Sequence, residues 1–162
     1  MISEVAERQA VAALRVFLAL LFAVLVVFQT LSFPGQFAYM AEESPDMAYL
    51  RWPLTAVTVF WIVCIQVVLV STWRLLTLVK HDRIFSEVSL RWVDAIVCSI
   101  VAAWLVLVGV DVYVAFKADD PGWPMLLLLM TTGVTVLGLL MVVMRALLRQ
   151  ATTLRTDMEA VI

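Results

Sequence analysis

The sequence predicts an all-α fold, an integral membrane four-helix bundle with both termini cytoplasmic, and three observations predict it. Four apolar stretches, about residues 13–33, 53–73, 92–116 and 123–144, each supply the roughly 20 apolar residues that a helix needs to cross the hydrocarbon core. The composition agrees, because 64% hydrophobic and 15% charged residues over 162 positions is far outside the range of soluble domains. The third observation is the distribution of charge. Arg8, Arg15, Arg74, Lys80, Arg83, Arg91, Arg145, Arg149 and Arg155 fall on one side of a four-span topology, and only Arg51 and Lys117 on the other. Short basic segments are retained in the cytoplasm, which places both termini and the 74–91 loop there. The connecting segments are too short to fold alone, so residues 1–162 are expected to form a single four-span domain.

The first span, 13–33, is read as retained rather than as a cleaved leader. Its apolar region is long, Glu4 and Glu7 precede it, and neither a small-x-small cleavage site nor a lipid-accepting cysteine is evident. The outer loop 34–52 follows and ends in Trp52-Pro53, with proline in the first turn of the second span, where amides lack helical partners. Trp73 closes that span, and Trp92 and Trp123 mark the ends of the next two at headgroup level. The second outer loop also ends in Trp-Pro, at Trp123-Pro124. The run from Ala38 to Glu43 resembles that from Ala115 to Asp120, either as a relic of a duplicated helical hairpin or as two segments meeting the same need for an interfacial aromatic followed by acids in water.

Between the second and third spans, His81 to Ser86 interrupts a helical pattern. Ser86 is expected to cap the third helix, with Glu87 in its first turn and Phe85 and Leu90 forming a hydrophobic staple. After the fourth span the chain continues as an amphipathic helix over about 145–160. There Leu147, Ala151, Leu154, Met158 and Val161 alternate by four and three residues, an a/d seam of about two heptads, with Arg155 and Glu159 four apart on its polar side. The seam is expected to pack on the cytoplasmic loop or to dock a partner.

Polar residues within the spans are few. Ala95, Ser99, Ala102, Val106 and Gly109 line one face of the third span, and Gly133 and Gly138 thin the fourth, as close helix packing requires. Thr131 and Thr135 are expected to bond back to their own helix, Gln66 to bond across helices, and Asp94 to serve the start of the third span or pair with Arg91. Cys64 and Cys98 lie about 17 Å and 27 Å from the outer ends of their spans, too different in depth for a disulfide. Asp111 is the carboxylate set well inside a span, about 8 Å below the outer interface. Gln29, Thr55 and Thr58 reach comparable depth and Arg51 stands just above. These five form a candidate polar site, either a lock made by Asp111 and Arg51 or a place for an ion or proton.

No enzyme signature accompanies them. His81 is the single histidine, flanked by Lys80 and Arg83, so a paired-histidine zinc site is excluded, and no phosphate-binding loop, Cys-x-x-Cys or Gly-x-Ser-x-Gly occurs. No metal and no cofactor is expected. The basic residues are dispersed along the chain and are read as topology determinants before any lipid-recognition role.

At Asp82-Arg83-Ile84-Phe85-Ser86 the chain resembles the bacterial membrane family catalogued as domain of unknown function 2975, in which an Ile-Phe-Ser element follows the second of four spans. The resemblance extends through the four-span layout to the tail ending Asp157-Met158-Glu159-Ala160-Val161-Ile162, which is less acidic than many endings in the family. It implies a multi-pass protein of the bacterial cytoplasmic membrane and brings no activity with it. It also implies a cytoplasmic partner of the helix-turn-helix regulator type, since such regulators are often encoded beside members. The leading expectation is a non-enzymatic regulatory or interaction protein, with Ile84, Phe85, Ser86, Leu147, Ala151, Leu154, Met158 and Val161 as its surface and no direct nucleic-acid binding. The alternative is a homo-oligomeric transporter or channel subunit with Asp111 as its ion or proton site.

Overall fold

A computed structural model describes residues 2–162, and every regular element in it is helical. Four helical stretches are long and apolar enough to cross a membrane: Ser3–Glu43, Pro45–Lys80, Glu87–Lys117 and Gly122–Val161. The chain forms two compact units, one ending at Leu76 and the other beginning at Thr77.

In the first unit, α1 (Ile2–Val27) passes through one π-helical turn, Phe28–Ser32, into α2 (Phe33–Glu43). The expected loop after Phe33 is therefore helical as far as Glu43. Proline inside an α-helix removes a hydrogen bond and drives its ring into the carbonyl four residues back. Here the Phe33 N–H reaches five residues back to the Phe28 carbonyl, which opens the backbone, and Pro34 falls in the first turn of α2, where no N–H is needed. The Phe28, Phe33 and Phe37 rings run along this join with centroids 5.8 and 6.2 Å apart, adding aromatic contact across the widened turn. A 3₁₀ turn, Pro45–Leu50, leads into α3 (Arg51–Lys80), which begins two residues before Pro53.

The C-terminus of α3 is closed by a Schellman motif. Asp82 takes the left-handed conformation at φ 57°, its N–H donates to the Val79 carbonyl at 3.1 Å, and the Arg83 N–H donates to the Leu78 carbonyl at 2.9 Å. Aspartate is among the few non-glycine residues that visit this conformation readily. The second unit continues with α4 (Glu87–Lys117) and α5 (Gly122–Val161). The Asp120 carboxylate accepts from the Gly122 N–H at 3.1 Å, satisfying one of the open amides at the start of α5. At 40 residues, α5 is about 60 Å long, twice the thickness of a hydrocarbon core.

Candidate functional site

α4 and α5 pack antiparallel, and polar or small residues mark their contact from end to end. Asp94 meets Arg145, Trp104 meets Thr135 and Asp111 meets Thr131. Between the first two contacts, a Cβ on Gly138 would come within 3.3 Å of the Ile100 side chain. Gly133 and Gly109 have open space where a Cβ would stand, so of the glycines expected to thin these two helices, Gly138 alone serves a close approach. In an apolar solvent there is no hydrophobic drive to join helices, and small residues with interhelical hydrogen bonds take over that role.

The polar residues pair differently from expectation. Thr131 donates its hydroxyl to an Asp111 oxygen at 3.0 Å instead of to its own helix. Thr135 does bond back, to the Thr131 carbonyl at 2.7 Å, while its oxygen accepts from the Trp104 indole at 2.8 Å. Asp94 is taken by Arg145, whose Nε and Nη2 face its two carboxylate oxygens, the Nη2 contact measuring 3.2 Å. Arg145 is 51 residues away in sequence but directly opposite in the helical hairpin, and its planar fork matches a carboxylate in a way that a neighbour on the same helix does not.

Of the other candidate site residues, Gln29 and Gln66 meet through an amide hydrogen bond of 3.1 Å within the first unit, the cross-helix role expected of Gln66. The Thr55 hydroxyl donates to the Arg51 carbonyl at 2.7 Å, and the Arg51 guanidinium lies 5.4 Å from the Trp52 ring centroid. Thr58 is half-buried on α3. Asp111 belongs to the second unit. The structure thus brings together two polar pairs, Gln29 with Gln66 and Asp111 with Thr131. No group of three or more metal-ligating side chains occurs among the described residues.

The 81–86 loop and the far end of α5 join in the second unit. Arg155 Nη1 donates to the Asp82 carbonyl at 3.3 Å, its guanidinium stands 5.9 Å from the Phe85 ring centroid, and its Nε donates to Glu159 at 3.3 Å. Ser86 occupies the N-cap position in extended conformation, yet its hydroxyl donates back to the Arg83 carbonyl at 2.6 Å rather than capping α4. The loop is instead secured by Ser89, fully buried, whose hydroxyl donates to the Ile84 carbonyl and to the Ser86 carbonyl.

Across from Arg155's neighbour Thr152, which is only 4% exposed, the expected seam is open: Leu147, Leu154, Met158 and Val161 are all exposed, Leu154 at 64% and Met158 at 68%. Ala151 and Ile84 are half-buried and Phe85 is exposed. The face of α5 that is covered is the one carrying Arg145, Leu148 and Thr152, and Leu154 lies two residues, about 200°, around the helix from Thr152.

The family model described as Protein of unknown function (DUF2975) matches residues 35–162. The chain belongs to the DUF2975 family. No curated protein and no solved structure matches the chain. The DUF2975 match contains the whole of α3, α4 and α5, and with them the loop, the Arg155 contacts and both ends of the Asp94–Arg145 and Asp111–Thr131 pairs. Gln29 and α1 precede it. Arg155, Arg145 and Ser89 were not among the candidate site residues. The available signal was the seven-residue recurrence of Thr131, Gly138, Arg145 and Thr152, a polar and small stripe in an otherwise apolar helix.

Proposed function

We propose that the chain is a non-enzymatic, multi-pass protein of the bacterial cytoplasmic membrane whose 81–86 loop and distal α5 present a docking surface to a cytoplasmic protein. The observation that carries this reading is the exposed stripe of Leu147, Leu154, Met158 and Val161 on a helix whose other face is already engaged. The Arg155 contacts fix that helix against the loop, so the stripe is held in place rather than left on a loose tail. An apolar stripe with this spacing suits the groove or helix face of a partner. A bilayer is a poorer occupant, because a helix continuing straight from Met144 carries Met158 about 20 Å beyond the span. A helix-turn-helix regulator is a partner of the right chemistry if it offers an apolar helical face.

Photo-crosslinking groups at Leu154 and Met158, introduced one at a time in native membranes, test the reading. The expected result is one cytoplasmic polypeptide joined at both positions. Once purified, that polypeptide should bind the full chain and lose at least tenfold in affinity on Leu154→Glu with Met158→Glu. Adducts to lipid or to a second copy alone would overturn it. The ion-site alternative centres on Asp111, and Asp111→Asn in reconstituted vesicles tests it: the docking reading expects no proton or cation flux to be lost.

A further inference from the structure

A groove of about 280 Å³ runs between α1 and α3 in the first unit. Its walls are Leu18, Ala19 and Phe22 from α1 with Leu69 and Val70 from α3, and its end is formed by Trp73 and Arg74. Arg15, one turn before Leu18, places its guanidinium 5.6 Å from the Trp73 ring centroid. We propose that this groove binds one anionic phospholipid, with an acyl chain between the two helices and the phosphate held by Arg15 and Arg74.

Two features support that occupant. The first is polarity order. From Arg15 to Phe22 is seven residues, about 10 Å along α1, and over that distance the groove passes from cations and an indole to aliphatic and phenyl walls. A phospholipid has the same order, charged at one end and hydrocarbon below. The second is charge. The sequence scatters its basic residues, but the fold brings one from each helix to the same end of one groove, flanking a tryptophan that suits the headgroup layer. Basic pockets between transmembrane helices are recognised sites for anionic headgroups, and guanidinium forks match phosphate oxygens. A free anion would leave the apolar walls uncovered, whereas a phospholipid covers the walls and meets the cations at once.

The test uses the purified full-length protein in nanodiscs of equimolar phosphatidylglycerol and phosphatidylcholine, with the retained lipid counted by native mass spectrometry. The wild type is expected to hold one phosphatidylglycerol in preference to phosphatidylcholine by on the order of tenfold, each arginine contributing a severalfold factor. Arg15→Gln with Arg74→Gln should retain a lipid with no headgroup preference. Ala19→Phe with Val70→Phe, which fills the groove and leaves both charges, should retain neither lipid. Helical circular dichroism and monodisperse elution qualify each variant. A photoactivatable phosphatidylglycerol on the wild type gives a readout independent of any variant and should label the peptides containing Leu18 to Phe22 and Leu69 to Arg74. Absence of preference in the wild type, preference that survives either double substitution, or labelling confined to other helices would each overturn the proposal.

Discussion

Arg145 on α5 faces both carboxylate oxygens of Asp94 on α4, and this pair joins the two helices near the start of α4 and past the middle of α5. Both side chains retain partial exposure, so the pair works where water or headgroups still reach it. Removing one partner leaves an unmatched charge beside the helix interface. Asp94→Asn and Arg145→Gln should each lower the thermal unfolding midpoint of the detergent-solubilised protein. The exchange Asp94→Arg with Arg145→Asp should recover more of the midpoint than the single changes predict by addition, which a double-mutant cycle measures.

Gln29 sits in the π-helical turn, and its Oε1 accepts across from Gln66 Nε2 at mid-α3. Both are half-buried in helices of membrane-spanning character. Interhelical hydrogen bonds in this setting average about 0.6 kcal/mol, because the separated helices find other partners. Gln66→Leu should therefore cost about that much, and Gln29→Leu added to it should cost little more. A coupling near zero in unfolding titrations would show that the two amides do not act together.

Ser89 and Ser86 offer a sharper contrast. A serine at the N-cap is the usual place to look for helix stabilisation, but the Ser86 hydroxyl turns back to Arg83 while the fully buried Ser89 hydroxyl binds two loop carbonyls. The Ser86 carbonyl also accepts from the Ser89 N–H at 3.1 Å, so removing the hydroxyl falls on the Ile84 carbonyl, and an acceptor left unsatisfied costs about 1–3 kcal/mol. Ser89→Ala should accordingly destabilise the 81–86 loop by about 1 kcal/mol or more, whereas Ser86→Ala should change it by less. Hydrogen exchange of residues 80–90 in the two variants measures the difference.

The four spans were legible in the sequence because length and hydropathy determine them, and the start of α4 at Glu87 because Ser86 and Glu87 carry the pattern of a helix N-terminus after the 81–86 break. The continuation past Pro34 was not, since it depends on a π-helical turn that relieves the proline, and no residue type signals that turn. The face of α5 that meets α4 is not the apolar seam, for a physical reason. Apolar residues mark the buried side of a helix in water, whereas in a bilayer they meet lipid, and the contact with α4 is made by Thr131, Thr135, Gly138 and Arg145. Partner choice was hidden for a related reason. Asp94 had a basic neighbour on its own helix in Arg91, and only the antiparallel register brings Arg145 opposite it.

Arg155 ties the distal end of α5, and with it the exposed Leu154 and Met158, to the 81–86 loop. Its guanidinium makes three contacts of different kinds: a hydrogen bond to the Asp82 carbonyl, a position over the Phe85 ring and an ion pair with Glu159. Asp82 is held by the Schellman closure of α3, and Phe85 by the loop that Ser89 secures, so Arg155 links the end of α5 to an anchored element. The exposed pair with Glu159 lies within one helix and contributes little to that link. The contact over Phe85 is worth about 0.5–1 kcal/mol at an exposed site. Arg155→Ala should thus release residues 150–162, seen as faster hydrogen exchange and earlier proteolysis there, with the exchange of α4 unchanged. Arg155→Lys keeps the charge over the ring but loses the planar fork, and should give an intermediate effect. Equal protection of the tail in all three proteins would mean that α5 stands without the loop, and the proposed docking surface would then need no clasp.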